Sequence, residues 1–224
     1  MRSGFYSLLA LIFFISPAFS QSAKWDSTYR PGMYQYKVNQ FKSYPDSSTD
    51  IIFLGNSITA RTDWHELLGN PRARNRGISG DISFGVLERL SEVTAGKPAK
   101  IFILVGINDI SRNIPDSLII NNYRSIIHQI KNESLATEIY LQTLLPVNND
   151  FTQFRNHYNK DEHILNVNEQ IKKLGKQEHI HVIDLYPHFL NSEKKLEKIY
   201  TEDGLHLNAE GYIVWAEILL PYLK

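Results

Sequence analysis

The amino-acid sequence predicts a three-layer α/β/α sandwich around a central parallel five-stranded sheet, flavodoxin-like in type. Three observations carry that prediction. The runs Ile51-Ile52-Phe53-Leu54 and Ile101-Phe102-Ile103-Leu104-Val105 are apolar at every position, as strands buried on both faces are. Between such runs, apolar residues recur three and four apart, the period of helices that lay one face on a sheet. Strand and helix alternate along the chain of 224 residues, and that order calls for parallel strands joined by right-handed crossovers.

The elements follow in sequence. Residues 21–49 are polar and aromatic and read as an arm followed by a short helix over 33–43. Residues 50–54 form the first strand, 62–68 a helical piece and 72–76 a short strand. Phe84, Leu87, Leu90 and Val93 predict an amphipathic helix over 83–94, ended by Gly96-Lys97-Pro98. Residues 100–105 are the next strand. Pro115 opens a helix through 131 with Ile119, Tyr123, Ile126, Ile127 and Ile130 facing inward. A strand over 138–145 stops at Pro146, and a polar loop over 147–160 carries Phe151, Phe154 and Tyr158. A helix over 161–176, a strand over 180–185 and a helical stretch over 191–198 come next. Asn208 is placed to cap a last helix to residue 220, with Tyr212, Trp215, Ala216 and Leu219 inward.

Residues 1–20 carry one charge, Arg2, then an apolar run from Leu8 to Ile15 and the small-residue stretch Ala18-Phe19-Ser20. This is the pattern of a secretory signal peptide cut before Gln21, and the run is too short to span a bilayer. The expected destination is the periplasm or the medium, with residues 21–224 forming a single domain. With no cysteine, neither a lipid on an N-terminal cysteine nor a disulfide can form. Lys and Arg equal Asp and Glu at 24 each, so neither nucleic acid nor an anionic membrane surface is the expected partner. The oligomeric state is not legible.

The strand over 50–54 runs into Gly55-Asn56-Ser57, which lifts a serine hydroxyl to the carboxyl end of a strand, where open α/β sheets place ligands. A serine is a poor nucleophile unless a base takes its proton and a carboxylate holds that base in one tautomer. Asp203-Gly204-Leu205-His206 offers both, three residues apart across a glycine turn. An isolated Asp-x-x-His is more often an ordinary surface turn. His65, just past the serine, is the rival base but has no carboxylate plainly placed to orient it. Attack on an ester carbonyl creates an oxyanion that needs fixed donors. The Ser57 N–H, the Gly80 N–H in Gly77-Ile78-Ser79-Gly80-Asp81 and the Asn108 amide in Gly106-Ile107-Asn108-Asp109 are candidates. Asn56, Asp81 and Arg155 are candidate substrate contacts. His179 and His181 would share one strand face and could bind a metal, though an exposed strand start explains them as well.

Gly55-Asn56-Ser57, Gly80, Gly106-x-Asn108-Asp109 and Asp203-x-x-His206 resemble, in order and spacing, the four blocks of the SGNH hydrolases, also called GDSL esterases/lipases. The resemblance spans essentially all of residues 21–224. It implies Ser57 as nucleophile, Ser57, Gly80 and Asn108 as oxyanion donors, and His206 with Asp203 completing the site, with no cofactor. Asn56 stands where the family usually has Asp. The stretches Asn75 to Asp81 and Leu144-Leu145-Pro146 look closest to the platelet-activating-factor acetylhydrolase-like branch, whose exported bacterial members are associated with deacetylating glycans. The G-x-S-x-G signature of α/β-hydrolases is absent, since residue 59 is Thr. The expectation is therefore an exported serine esterase removing short acyl groups, acetyl foremost, from carbohydrate. The alternatives are a phospholipid or lysophospholipid esterase and a catalytically inactive glycan-binding module.

Overall fold

The computed structural model describes residues 24–223. The expected signal segment lies outside the described residues. In chain order the elements are α1 (Tyr34–Lys42), β1 (Ile51–Gly55), α2 (Ser57–Ala60), α3 (Trp64–Leu68), β2 (Ala73–Gly77), α4 (Ser83–Glu88), α5 (Leu90–Thr94), β3 (Lys100–Leu104), α6 (Ile107–Ser111), α7 (Asp116–Glu133), β4 (Glu138–Gln142), α8 (Asp161–Glu178), β5 (His181–Ile183) and α9 (Ala209–Leu219). The strands form one parallel sheet in the order β2-β1-β3-β4-β5. That is the flavodoxin-like order, in which the winding reverses between β1 and β3 and ligands sit beyond the strand ends there.

Register fixes the height at which the loops leave the sheet. Gly55 lies opposite Gly77 on one side and Leu104 on the other. The segments beginning at Asn56, Ile78 and Val105 therefore emerge level with one another. Every position of β1 and β3 is buried, as the apolar runs require.

The strand period of two divides the apolar residues between the faces. On one face Phe53, Phe102, Tyr140 and His181 are register partners and stack in a row, with ring centroids 5.1, 4.5 and 5.0 Å apart. Trp64 of α3 lies flat on Phe53 at 4.0 Å and edge-on to Trp215 of α9 at 4.8 Å. On the other face α7 packs with α4, α5 and α8, burying Ile119, Tyr123, Ile126, Ile127 and Ile130.

The structure departs from expectation in several places. The helix over 83–94 is two helices, bent at Arg89, whose side chain is drawn into the interior. Residues 191–198 are not helical. Asn191 Oδ1 accepts the N–H groups of Glu193 and Lys195 at 2.9 Å each, and Leu190 bridges Leu196 instead. An Asn bonding its own following backbone competes with a helix in this way. The short helices α2 and α6 were not expected. His179 is the left-handed C-cap of α8, so it does not share a strand face with His181. Among the described residues no group of three or more His, Asp or Glu could hold a metal ion, and no helix is long and apolar enough to cross a membrane.

A buried ionic cluster underlies the strand ends. Arg89 pairs with Asp81 at 3.0 Å and Glu92 at 3.1 Å, and donates to the carbonyls of Gly55 at 3.2 Å and Arg76 at 2.8 Å. Arg76 pairs with Glu92 at 3.2 Å. Burial pushes the carboxyls of Asp81 and Glu92 up, and the two guanidiniums oppose it. Removing one partner from such a cluster strands the others, at a cost of about 3–5 kcal/mol. Arg89→Leu is expected to lower unfolding free energy by about that amount in urea titration; a loss below about 1 kcal/mol would show that the cluster restrains nothing.

Candidate active site

Three chain segments, level at the strand ends, and the turn before α9 build a crevice of about 230 Å³ lined by Ser57, Gly80, Asn108 and His206 among others. Ser57 is the first residue of α2, directly after β1. Asn56 Oδ1 accepts the Ile58 N–H at 3.0 Å and so caps that turn, and Tyr212 of α9 clamps it from outside by donating to the Ile58 carbonyl at 2.7 Å. At the opening of α2 the Ser57 N–H has no earlier turn to bond. Neither it nor the Gly80 N–H has a hydrogen-bond partner among the described residues.

Gly80 has φ +82°, a conformation that side chains other than glycine rarely adopt. A Cβ there would stand 3.2 Å from Pro31, so the N-terminal arm closes against this corner of the crevice.

Ser57 Oγ lies 2.9 Å from His206 Nε2, and His206 Nδ1 lies 2.8 Å from Asp203 Oδ2. The turn that brings the last pair together is held from several sides. Asp203 Oδ1 accepts the N–H groups of Leu205 at 3.0 Å and His206 at 2.8 Å. Thr201 Oγ accepts from Gly204 at 2.9 Å, and Tyr158 donates to the Asp203 carbonyl. Gly204 has φ +74°, and a Cβ there would meet the Asn148 carbonyl at 2.4 Å. Phe154 lies edge-on to the His206 ring at 4.9 Å. The loop 147–160, which carries Asn148, Phe154 and Tyr158, is thus packed support for this turn rather than a loose connector.

Asn108, at α6, donates from Nδ2 to the Asp81 carbonyl at 2.9 Å. Its Oδ1 lies 3.0 Å from His157 Nε2. An amide oxygen only accepts, so the imidazole carries its proton on Nε2. Since Nδ2 bears two hydrogens, one remains for the crevice. The next residue ties the same loop to α4: Asp109 receives the Ser83 N–H on both oxygens at 3.0 Å and the Ser83 hydroxyl at 2.5 Å. Burial nevertheless pushes the Asp109 carboxyl up to about 7. Its contribution to stability is present at low pH and is lost as pH rises from the ordinary 3.8 towards about 7.

Electrostatics divides the imidazoles from the carboxylate. Burial lowers the pKa of His206 and outweighs the bond to Asp203, with Arg61 adding to the lowering. Burial opposes ionisation of Asp203, but the N–H of His206, its imidazole and the N–H of Leu205 together hold that carboxyl below its usual value. Arg61 stands 3.5 Å from Asp203 Oδ2. His157 is pushed down to about 4, by burial first and then by His206 and Arg112.

The structure brings Ser57, Gly80, Asn108, Asp203 and His206 together. It separates the remaining candidates. Asn56 and Asp81 are fully buried, one capping α2 and the other paired with Arg89, so neither can touch a substrate. Arg155 is exposed and lies outside the crevice lining. His65 is exposed on α3 and likewise does not line the crevice. Sequence reasoning missed His157, Arg61 and Arg112. His157 lies 49 positions from the amide it orients, so no spacing could have marked it.

The strand order, the three blocks at the strand ends and the fourth before α9 are those of the SGNH hydrolases. Residues 53–214 match the family model described as GDSL-like Lipase/Acylhydrolase, and the chain belongs to that family. A structure described as a candidate platelet activating factor from Streptococcus pneumonia superposes with a TM-score of 0.79 at 30% identity, over 85% of this chain and 92% of that one. The platelet-activating factor acetylhydrolase IB subunit alpha2 of Rattus norvegicus is 27% identical over 173 residues, 75% of this chain and 72% of the relative. An N-acylneuraminate cytidylyltransferase of Escherichia coli is 27% identical over 193 residues, and this chain spans 43% of its length.

Titration of the imidazole C–H resonances by NMR is expected to place His206 below the ordinary 6.5 and His157 at about 4. Arg61→Gln removes a cation that disfavours the imidazolium, so the His206 midpoint should move to higher pH. A midpoint that stays put or falls would mean that Arg61 does not act on this ring.

Proposed function

We propose that the protein is a serine-dependent carboxylic ester hydrolase working through an acyl-enzyme. Ser57 Oγ attacks the ester carbonyl while His206 Nε2 takes its proton. Asp203 holds the ring by Nδ1 and stabilises the imidazolium that forms. The oxyanion is received by the free N–H groups of Ser57 and Gly80 and the remaining hydrogen of the Asn108 amide. His206 then protonates the departing alcohol, and a water deprotonated by the same ring releases the acid. The observation that carries this reading is the unbroken line of hydrogen bonds from Ser57 through His206 to Asp203, at 2.9 and 2.8 Å, beside donors left without partners.

The acyl group is short, acetyl foremost. A crevice of about 230 Å³ falls below the range of roughly 300–1,000 Å³ usual for whole ligand sites, which suits a small acyl group. The alcohol is carbohydrate and the enzyme is exported. Export rests on the charge and apolar pattern of residues 1–20. It predicts that N-terminal sequencing of protein recovered outside the cytoplasm begins at Gln21; a chain retaining residues 1–20 there would contradict it. The name of the rat relative supports a second reading, an acetyl ester on a phospholipid alcohol.

Turnover of p-nitrophenyl esters from acetyl to dodecanoyl is expected to be fastest at acetyl, and Ser57→Ala should abolish it. Asn108→Ala should cut kcat by about a hundred- to a thousandfold without lowering the unfolding temperature in step. Full activity in Ser57→Ala would remove the nucleophile, and a preference for dodecanoyl would remove the short-acyl reading.

A further inference from the structure

A second, wider cavity of about 680 Å³ adjoins the crevice, and Arg61 and Ser79 line both. Its floor is β2, the edge strand of the sheet, and its far wall is α1 with Tyr44. An alcohol of several sugar units would extend beyond a crevice of about 230 Å³, and this groove opens directly alongside.

The lining of the groove is basic. Lys37, Arg61, His65, Arg74 and Arg76 face it, with Asp63 the one carboxylate among its lining residues. Asp63 is occupied in capping α3 through the Glu66 N–H at 3.1 Å. Arg74 is paired with Asp50 at 3.1 Å. Arg76 pairs with Glu92 through Nε, and its buried Nη2 has no partner. Lys37 Nζ bonds only the neutral Gln40 side chain, at 2.9 Å. Arg61 stands 3.5 Å from Asp203, so Lys37 is the groove cation with no carboxylate beside it, on a chain whose formal net charge is zero. A concave surface of one sign raises the local concentration of the opposite charge. Two aromatic rings complete it: Phe41 and Tyr44 flank the Arg76 guanidinium at 5.0 and 5.7 Å, and Tyr44 is 43% exposed.

We propose that this groove binds the alcohol half of the ester, and that this half is an acidic saccharide whose carboxylates meet Lys37 and Arg61 while a ring lies against Tyr44. The proposal rests on the ester-hydrolase reading and names the substrate class for it.

The test compares acetylated oligogalacturonides, which are acidic, with acetylated xylo-oligosaccharides, which are neutral, with released acetate as readout and p-nitrophenyl acetate run on the same samples. The acidic substrate should have the higher kcat/KM by about tenfold, the value of one charge contact near 1.4 kcal/mol. That ratio should shrink as salt rises. Lys37→Glu should bring the ratio close to one, and Lys37→Gln should lower it less. Calorimetry with unacetylated oligogalacturonide, which needs no turnover, should show binding that Lys37→Glu weakens about tenfold. Equal kcat/KM for the two substrates, or a preference that neither Lys37 variant moves, would overturn the proposal and leave the basic residues as guards of an exposed sheet edge. If p-nitrophenyl acetate is not cleaved either, the hydrolase reading itself has failed; if it is cleaved and the ratio is one, only the groove assignment falls.

Discussion

One buried guanidinium sets the positions on which the site depends. Arg89 bonds the carbonyl of Gly55, two residues before Ser57, and the carbonyl of Arg76 at the end of β2. It also pairs with Asp81, whose own carbonyl receives the Asn108 amide. The ends of β1 and β2 and the loop after β3 are thus joined through a single side chain and its partner. Burying two arginines with two carboxylates is costly, and an apolar core of the same volume could be as stable. What the ions add is direction: each hydrogen bond has one geometry, and a donor misplaced by an ångström would no longer face the oxygen it is to hold.

Above that base, burial and nearby arginines keep two imidazoles neutral. Arg61 acts on His206 and Arg112 on His157, and burial acts on both in the same sense. Each ring is therefore held neutral. His206 presents a lone pair to the serine hydroxyl, while His157 keeps its single proton for the Asn108 oxygen. Asp203 remains a carboxylate because its hydrogen bonds outweigh the cost of burial. Arg61 lines both the crevice and the adjoining groove, so one cation borders both.

Much of this was legible in the sequence, and the reasons are physical. Apolar runs such as Ile51 to Leu54, short, β-branched and ended by glycine, suit interior strands, and their alternation with amphipathic segments leaves few topologies. The residues of the serine–histidine–aspartate line stood out because each sits in a short, glycine-marked turn. The same reasoning could not see side chains that act across distance. His157 and Arg89 look like any surface histidine or helical arginine until the fold brings them to Asn108 and Gly55. Asn56 and Asp81 misled for the opposite reason: lying next to Ser57 and Gly80 in sequence suggested contact with substrate, whereas the strand-to-helix turn points the first inward and the Arg89 pair buries the second. Residues 191–198 misled through composition, since the Lys- and Glu-rich stretch suits a helix but Asn191 turns the backbone first.

The proposed mechanism requires the hydroxyl of Ser57 to be made nucleophilic by His206 and Asp203. A fluorophosphonate reacts covalently with a serine activated in this way and not with an ordinary hydroxyl. Peptide mapping by mass spectrometry after such treatment shows which serine has reacted. A single phosphonyl adduct is expected on the peptide containing Ser57, absent when His206 is replaced by Ala in a protein that still folds. An adduct on another serine, or none on well-folded wild-type protein, would contradict it.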